Sequence, residues 1–148
     1  MQFLSDLWAN GPLKCAVLSW TVAQGIKVLI SLWLDKKLDW RRCFGMGGMP
    51  SSHSAFVFSL MMAIGIQETL ASPIFAVAFG LAAVVIYDAM GVRRETGKQS
   101  VVLNQILTQM LVEGKPITEK QLKELVGHTP LEVAAGIIVG IIVTLLVM

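Results

Sequence analysis

Residues 130–148 read PLEVAAGIIVGIIVTLLVM, a run whose one ionisable side chain, Glu132, sits close to its start. An α-helix rises about 1.5 Å per residue, so this run is about 28 Å long. That is just enough to cross a hydrocarbon layer of roughly 30 Å if the chain's end lies at the interface. Working outward, residues 13–34 and 73–92 form two more apolar stretches of spanning length. A fourth, residues 51–67, is apolar mainly between 55 and 66, and is expected to be a short span helped by its neighbours. The composition agrees: 148 residues with 55% hydrophobic and 15% charged content, at a mean hydropathy of +0.69, are too apolar for an ordinary soluble domain. The expectation is an all-α integral membrane helical bundle, residues 1–148 as a single unit, with about four transmembrane helices.

Between the third and fourth runs, Val101, Val102, Leu103, Ile106, Leu107, Met110 and Leu111 recur at helical spacing among glutamines and Asn104. This predicts an amphipathic helix that lies on the membrane surface or covers a site. Gly114-Lys115-Pro116 then breaks the chain, and Thr118-Glu119-Lys120-Gln121 is a capping-box pattern opening a second short helix that ends near Gly127. Lys36, Lys37, Arg41 and Arg42 follow the first span, and Arg93, Arg94, Lys98, Lys115, Lys120 and Lys123 follow the third. The connection around residues 67–72 has Glu68 and neither Lys nor Arg. Both basic connections therefore belong on the cytoplasmic side of four crossings, and the amphipathic helix with them. The first ten residues lack the basic cluster of a secretory signal and are expected to stay on the mature protein. Cys15 and Cys43 flank the first span, roughly 30 Å apart if it is helical, which forbids a disulfide between them. A net charge of +2 argues against a nucleic-acid partner.

The two histidines, His53 and His128, each sit just before or at the start of an apolar run. Helix starts leave backbone amides pointing outward, where a phosphate can be held, and imidazole does proton or phosphoryl chemistry near neutral pH. In Gly47-Gly48-Met49-Pro50-Ser51-Ser52-His53-Ser54 the proline suits a first turn and the glycines admit a close ligand. Ser51 and Ser52 either seat a phosphate or cap the helix. In Gly127-His128-Thr129-Pro130-Leu131-Glu132 the last residue has two readings. It either closes a capping box with Thr129, or stands one turn from His128 and holds one imidazole nitrogen so that the other can attack phosphorus.

Pro50-Ser51-Ser52-His53 resembles the Pro-Ser-Gly-His signature of the type-2 phosphatidic acid phosphatase and vanadium haloperoxidase superfamily. His128 with Glu132 resembles its later His-x-x-x-Asp element. With Tyr87-Asp88-Ala89 and Arg93-Arg94 between them, the set looks like the divergent small-membrane-protein branch of that superfamily, from about Lys27 onward. The resemblance implies a phosphatase that needs neither metal nor cofactor and acts on a lipid phosphate in the bilayer. In it His128 attacks phosphorus, Glu132 orients His128, His53 protonates the leaving oxygen, and Ser51 and Ser52 lie beside the phosphate. The charge asymmetry under four crossings puts His53 and His128 at the cytoplasmic face, and the expected setting is a bacterial inner membrane.

The sequence departs from the family pattern at Ser52 for glycine, Glu132 for aspartate, and Leu122 where an arginine precedes the nucleophile by six residues. Arg94, and next Arg93, are the expected substitutes as a bidentate phosphate clamp, although both also serve as the positive flank of a span. Lys27 lies inside the first apolar run, where a charge costs about 2.5–3.5 kcal/mol, so it should face Asp88, Glu132 or bound phosphate rather than lipid. Asp88 is accordingly either a structural partner of Lys27 or a supporting site residue. Gly136-x-x-x-Gly140 permits close helix contact within one chain or in a homodimer. Trp8, Trp20, Trp33 and Trp40 read as interfacial anchors. No Cys and His cluster has metal-ligand spacing. The competing class is a membrane protein without catalysis, a small transporter of an anionic metabolite or a scaffold, whose polar residues line a path or pair with one another.

Overall fold

A computed structural model describes residues 2–35, 48–91, 99–104, 106 and 128–148. Among them, all regular structure is helical: α1 (Gln2–Ala9), α2 (Gly11–Asp35), α3 (Ser52–Glu68), α4 (Pro73–Met90) and α5 (Pro130–Val147), with residues 99–104 forming a further helical stretch. Each main helix starts on a recognisable signal. Asn10 Oδ1 accepts from the Leu13 amide at the head of α2 (3.0 Å). Ser51, Ser72 and Thr129 cap α3, α4 and α5 through their hydroxyls, and α4 and α5 open on proline, whose missing amide is no loss in a first turn.

Side-chain size, rather than polarity, decides what is inside. The buried apolar residues of the bundle are Cys, Ala and Val, and its fully buried side chains include Ser19, Ser51, Ser54, Ser59 and Thr144. Trp33, Leu146, Val77 and Leu29 point outward at 82%, 80%, 71% and 65% exposure. In water that arrangement would forfeit most of the hydrophobic driving force. In lipid, where tails solvate Leu as well as a protein core does, helices gain by close approach through small residues. Among the described residues, three helices are long and apolar enough to cross a membrane: Gly11–Trp33, Pro73–Met90 and Pro130–Val147. The chain is an all-α integral membrane protein.

Among the described residues, three helices rather than the four expected from sequence meet the length and hydropathy of a span. The 17-residue α3 is about 25 Å long, and Ser52, His53, Ser54, Ser59 and Gln67 interrupt its apolar character. It is instead the central helix, packed against α2, α4 and α5, so neighbours rather than lipid surround much of it. Helix directions still alternate. A Cβ placed on Gly136 would meet Ser51, one on Gly140 would meet Ala55 and Ser59, and Ser59 pairs with Thr144; these advance together by fours, so α3 and α5 run parallel. Gly11 lies beside Gln67 and Met148, and Gly48 beside Lys27, so α2 runs against both. The His128 amide donates to the Ala89 carbonyl (3.0 Å), which brings the end of α4 to the starts of α3 and α5.

The glycine pair of α5 is therefore used within the chain, against α3. The seam is pinned lower down by hydroxyls. Thr144 Oγ1 donates to Gly140 O (2.8 Å), and its one proton being committed, Ser59 Oγ must donate to Thr144 Oγ1 (2.8 Å). In the helical stretch 99–104, the polar Ser100 and Asn104 are buried while Val102, Leu103 and Ile106 are exposed. Its amphipathicity thus turns the polar side inward. Residues 107–111, the expected helix near 118–127, Cys43 and Trp40 lie outside the described residues. Cys15 is a free, buried thiol. Trp8, Trp20 and Trp33 are all exposed.

Candidate active site

The start of α5 is built around one carboxylate oxygen. Thr129 is extended (φ −69°, ψ 154°), and its hydroxyl accepts from the Glu132 amide at 3.3 Å. Glu132 Oε2 reaches back to accept from the Thr129 amide at 3.0 Å, closing the capping box. The same Oε2 stands 3.0 Å from His128 Nδ1. The two sequence readings of Glu132 are thus one arrangement, since a single oxygen both caps the helix and holds the imidazole. A carboxylate only accepts, so Nδ1 carries the proton in this pair, and in the neutral ring Nε2 keeps its lone pair. His128 is 4% exposed, and its amide is tied to Ala89 on the last turn of α4.

The start of α3 is built from hydroxyls. Ser51, extended at φ −70° and ψ 112°, accepts from the Ser54 amide (3.3 Å) and from the Ser54 hydroxyl (3.0 Å). Ser51 and Ser54 are fully buried and Ser52 nearly so, whereas His53 is half-buried. The Ser51 oxygen serves as the helix cap. Gly48 precedes it at φ +87°, a left-handed conformation that favours glycine. A side chain there would begin 3.7 Å from Lys27 Cγ, so the glycine lets the loop lie on the lysine's stem.

The two starts meet. The Ser51 amide donates to the Glu132 carbonyl at 2.9 Å, and the rings of His53 and His128 stand 6.4 Å apart, centre to centre, inclined at 52°. Two helix N-termini therefore converge, each contributing partial positive charge of the kind that favours phosphate. Lys27 is buried eight residues before the end of α2, about 12 Å along its axis, in electrostatic range of Glu132. Glu132 is one of the three partners its position suggested. Asp88, half-buried, is at the same end, next to the Ala89 carbonyl that anchors His128. Arg93 and Arg94 lie outside the described residues.

Ser54 and Ala89 support this site from outside it, through the Ser51 cap and the His128 amide, and the sequence motifs contained both without giving either a part. Ser54 had a legible signal, standing three residues after Ser51 where a cap's partner belongs. A backbone carbonyl such as that of Ala89 has none.

The sequence profile of the Divergent PAP2 family matches residues 8–143. The chain is 39% identical over 150 aligned positions to a Bacillus subtilis (strain 168) protein whose name is "Uncharacterized membrane protein YuiD", covering 95% of each. No solved structure matches.

Proposed function

The chain belongs to the Divergent PAP2 family, and from that premise we propose that it is a metal-independent membrane phosphatase acting on a lipid phosphomonoester or pyrophosphate. Phosphatidate, phosphatidylglycerophosphate and polyprenyl phosphates are the substrate types in view. One observation carries the proposal: an imidazole held at Nδ1 by a carboxylate, with a second imidazole 6.4 Å away, where two helix N-termini meet.

In the proposed reaction His128 Nε2 attacks phosphorus, forming an N–P bond as the P–O bond to the leaving group breaks. His53 gives its proton to the departing oxygen, which avoids expelling a bare alkoxide. Glu132 stabilises the positive charge that develops on His128. Water, giving a proton to His53, then attacks the phosphohistidine, and the N–P bond breaks to release inorganic phosphate. Lys27, Ser51, Ser52 and the α3 amides surround the phosphoryl oxygens, with Arg94 and Arg93 supplying the cation that the family's arginine would give.

The setting is a bacterial inner membrane with the site on the cytoplasmic side. Supporting this, the basic connections 36–47 and 92–127 both join helices at the site end, where positive flanks favour the cytoplasm. The test is phosphate release from a panel of these lipids in detergent, with and without chelator. Metal-independent release with a phosphohistidine on rapid quench is expected; no release from any lipid would overturn the proposal.

A further inference from the structure

Ser51 is the residue through which α3 and α5 are registered, and α5 grips it at two points. Its amide donates to the Glu132 carbonyl (2.9 Å), and its carbonyl lies over Gly136, one helical turn further on. A Cβ built on Gly136 would collide with Ser51 O, and would stand 3.1 Å from Ser51 C and 3.1 Å from Ser54 Cβ. The closest of these is backbone, so no side-chain rotation relieves it. That carbonyl also accepts from the Ala55 amide in the first turn of α3 (3.1 Å), so it cannot swing away without unwinding the turn that carries His53.

We propose that Gly136 is a positioning residue: by lacking a side chain it seats Ser51 on the 132–136 turn and thereby sets the separation of His53 from His128. This rests on the reading of the two histidines as one site. Alanine is the better helix former, so without this contact Gly136→Ala would be harmless or stabilising. With it, α3 and α5 part at the end where the rings stand. Gly140 supplies the internal comparison. Its added Cβ would lie 2.9 Å from Ala55 O and 3.3 Å from Ser59 N, a smaller overlap one turn further from the histidines.

The experiment compares full-length wild type, Gly136→Ala and Gly140→Ala in detergent, each checked for monodisperse elution and thermal unfolding. Carbethoxylation of each histidine by diethyl pyrocarbonate is followed by mass spectrometry. Buried His128 reacts slowly in the wild type; its rate is expected to rise about tenfold in Gly136→Ala and about threefold in Gly140→Ala. Unchanged protection of His128 in a folded Gly136→Ala protein overturns the proposal. Should that variant fail to accumulate, unchanged protection in Gly140→Ala overturns it instead.

Turnover of dioleoyl phosphatidate in mixed micelles adds the split that a packing role would not give. In Gly136→Ala, kcat is expected to fall about 100-fold with KM little moved, as an ångström's misplacement of reacting groups does. A rise in KM as large as the fall in kcat, alike in both variants, overturns positioning. If the wild type cleaves no lipid phosphate at all, the phosphatase reading fails while the carbethoxylation rates still decide the geometry.

Discussion

The starts of α3 and α5 are built alike and furnished differently. Both are capped by a hydroxyl at the residue before the helix, both run into an apolar segment, and both carry a histidine. At α5 the histidine precedes the cap, is buried, and is held through Nδ1 by the acid of the capping box. At α3 the histidine is inside the helix, two residues past the cap, half-buried, and the cap is made from two serines. The difference suits different work. A carboxylate on one nitrogen fixes the tautomer and aims the other nitrogen, as a nucleophile requires. A more exposed ring beside a hydroxyl cap can exchange its proton with water between steps, as an acid that turns base requires.

The strongest way to break that contrast is to remove each ring in turn. His128→Ala is expected to lower phosphate release by about 10⁴-fold or more and to abolish the phosphohistidine on rapid quench. Undiminished turnover in this variant sinks the nucleophile assignment. His53→Ala should cost about 10²- to 10⁴-fold on an alkyl phosphate, yet much less on 4-nitrophenyl phosphate, whose phenolate leaves without a proton. Equal losses on both substrates would mean that the two rings do not differ in role. Glu132→Gln tests the shared oxygen. The amide oxygen can still accept from Thr129 and keep the cap, but no longer stabilises the imidazolium. A loss of about 10²- to 10⁴-fold in kcat with an unfolding temperature close to the wild type is expected.

Much of this architecture is written in the chain, and the parts that are not share a cause. The runs at 13–34, 73–92 and 130–148 are legible because crossing a bilayer is set by length and hydropathy, which are local. The run at 51–67 misled because α3 is sheltered by three neighbours, and shelter is a property of the neighbours. Gly136 and Gly140 announced a close contact without saying with what, since spacing carries no partner. Glu132 stood at once three residues from Thr129 and four from His128; on a helix these lie on one face, and only the geometry shows that one oxygen serves both. Lys27 advertised a buried charge through its cost, but three acceptors were compatible with its position.

The smallest effects compare the caps themselves. Thr129→Ala removes the hydroxyl that accepts from the Glu132 amide, and should cost about 1 kcal/mol of stability, as loss of an N-cap commonly does. Ser54→Ala removes one neutral hydroxyl bond onto Ser51, and also about 1 kcal/mol. Equal in stability, the two should part in turnover. Thr129 keeps its amide bond to Glu132 Oε2, but fraying of the first turn of α5 loosens the carboxylate that holds His128, so kcat falls severalfold. Ser54 acts on a cap whose remaining bond, from the Ser54 amide, is untouched, and turnover should stay within about twofold. Parallel measurement of unfolding temperature and kcat decides the matter. If Ser54→Ala slows turnover as much as Thr129→Ala does, the hydroxyl cap of α3 holds its histidine as tightly as the acid cap of α5, and the proposed division of labour is lost.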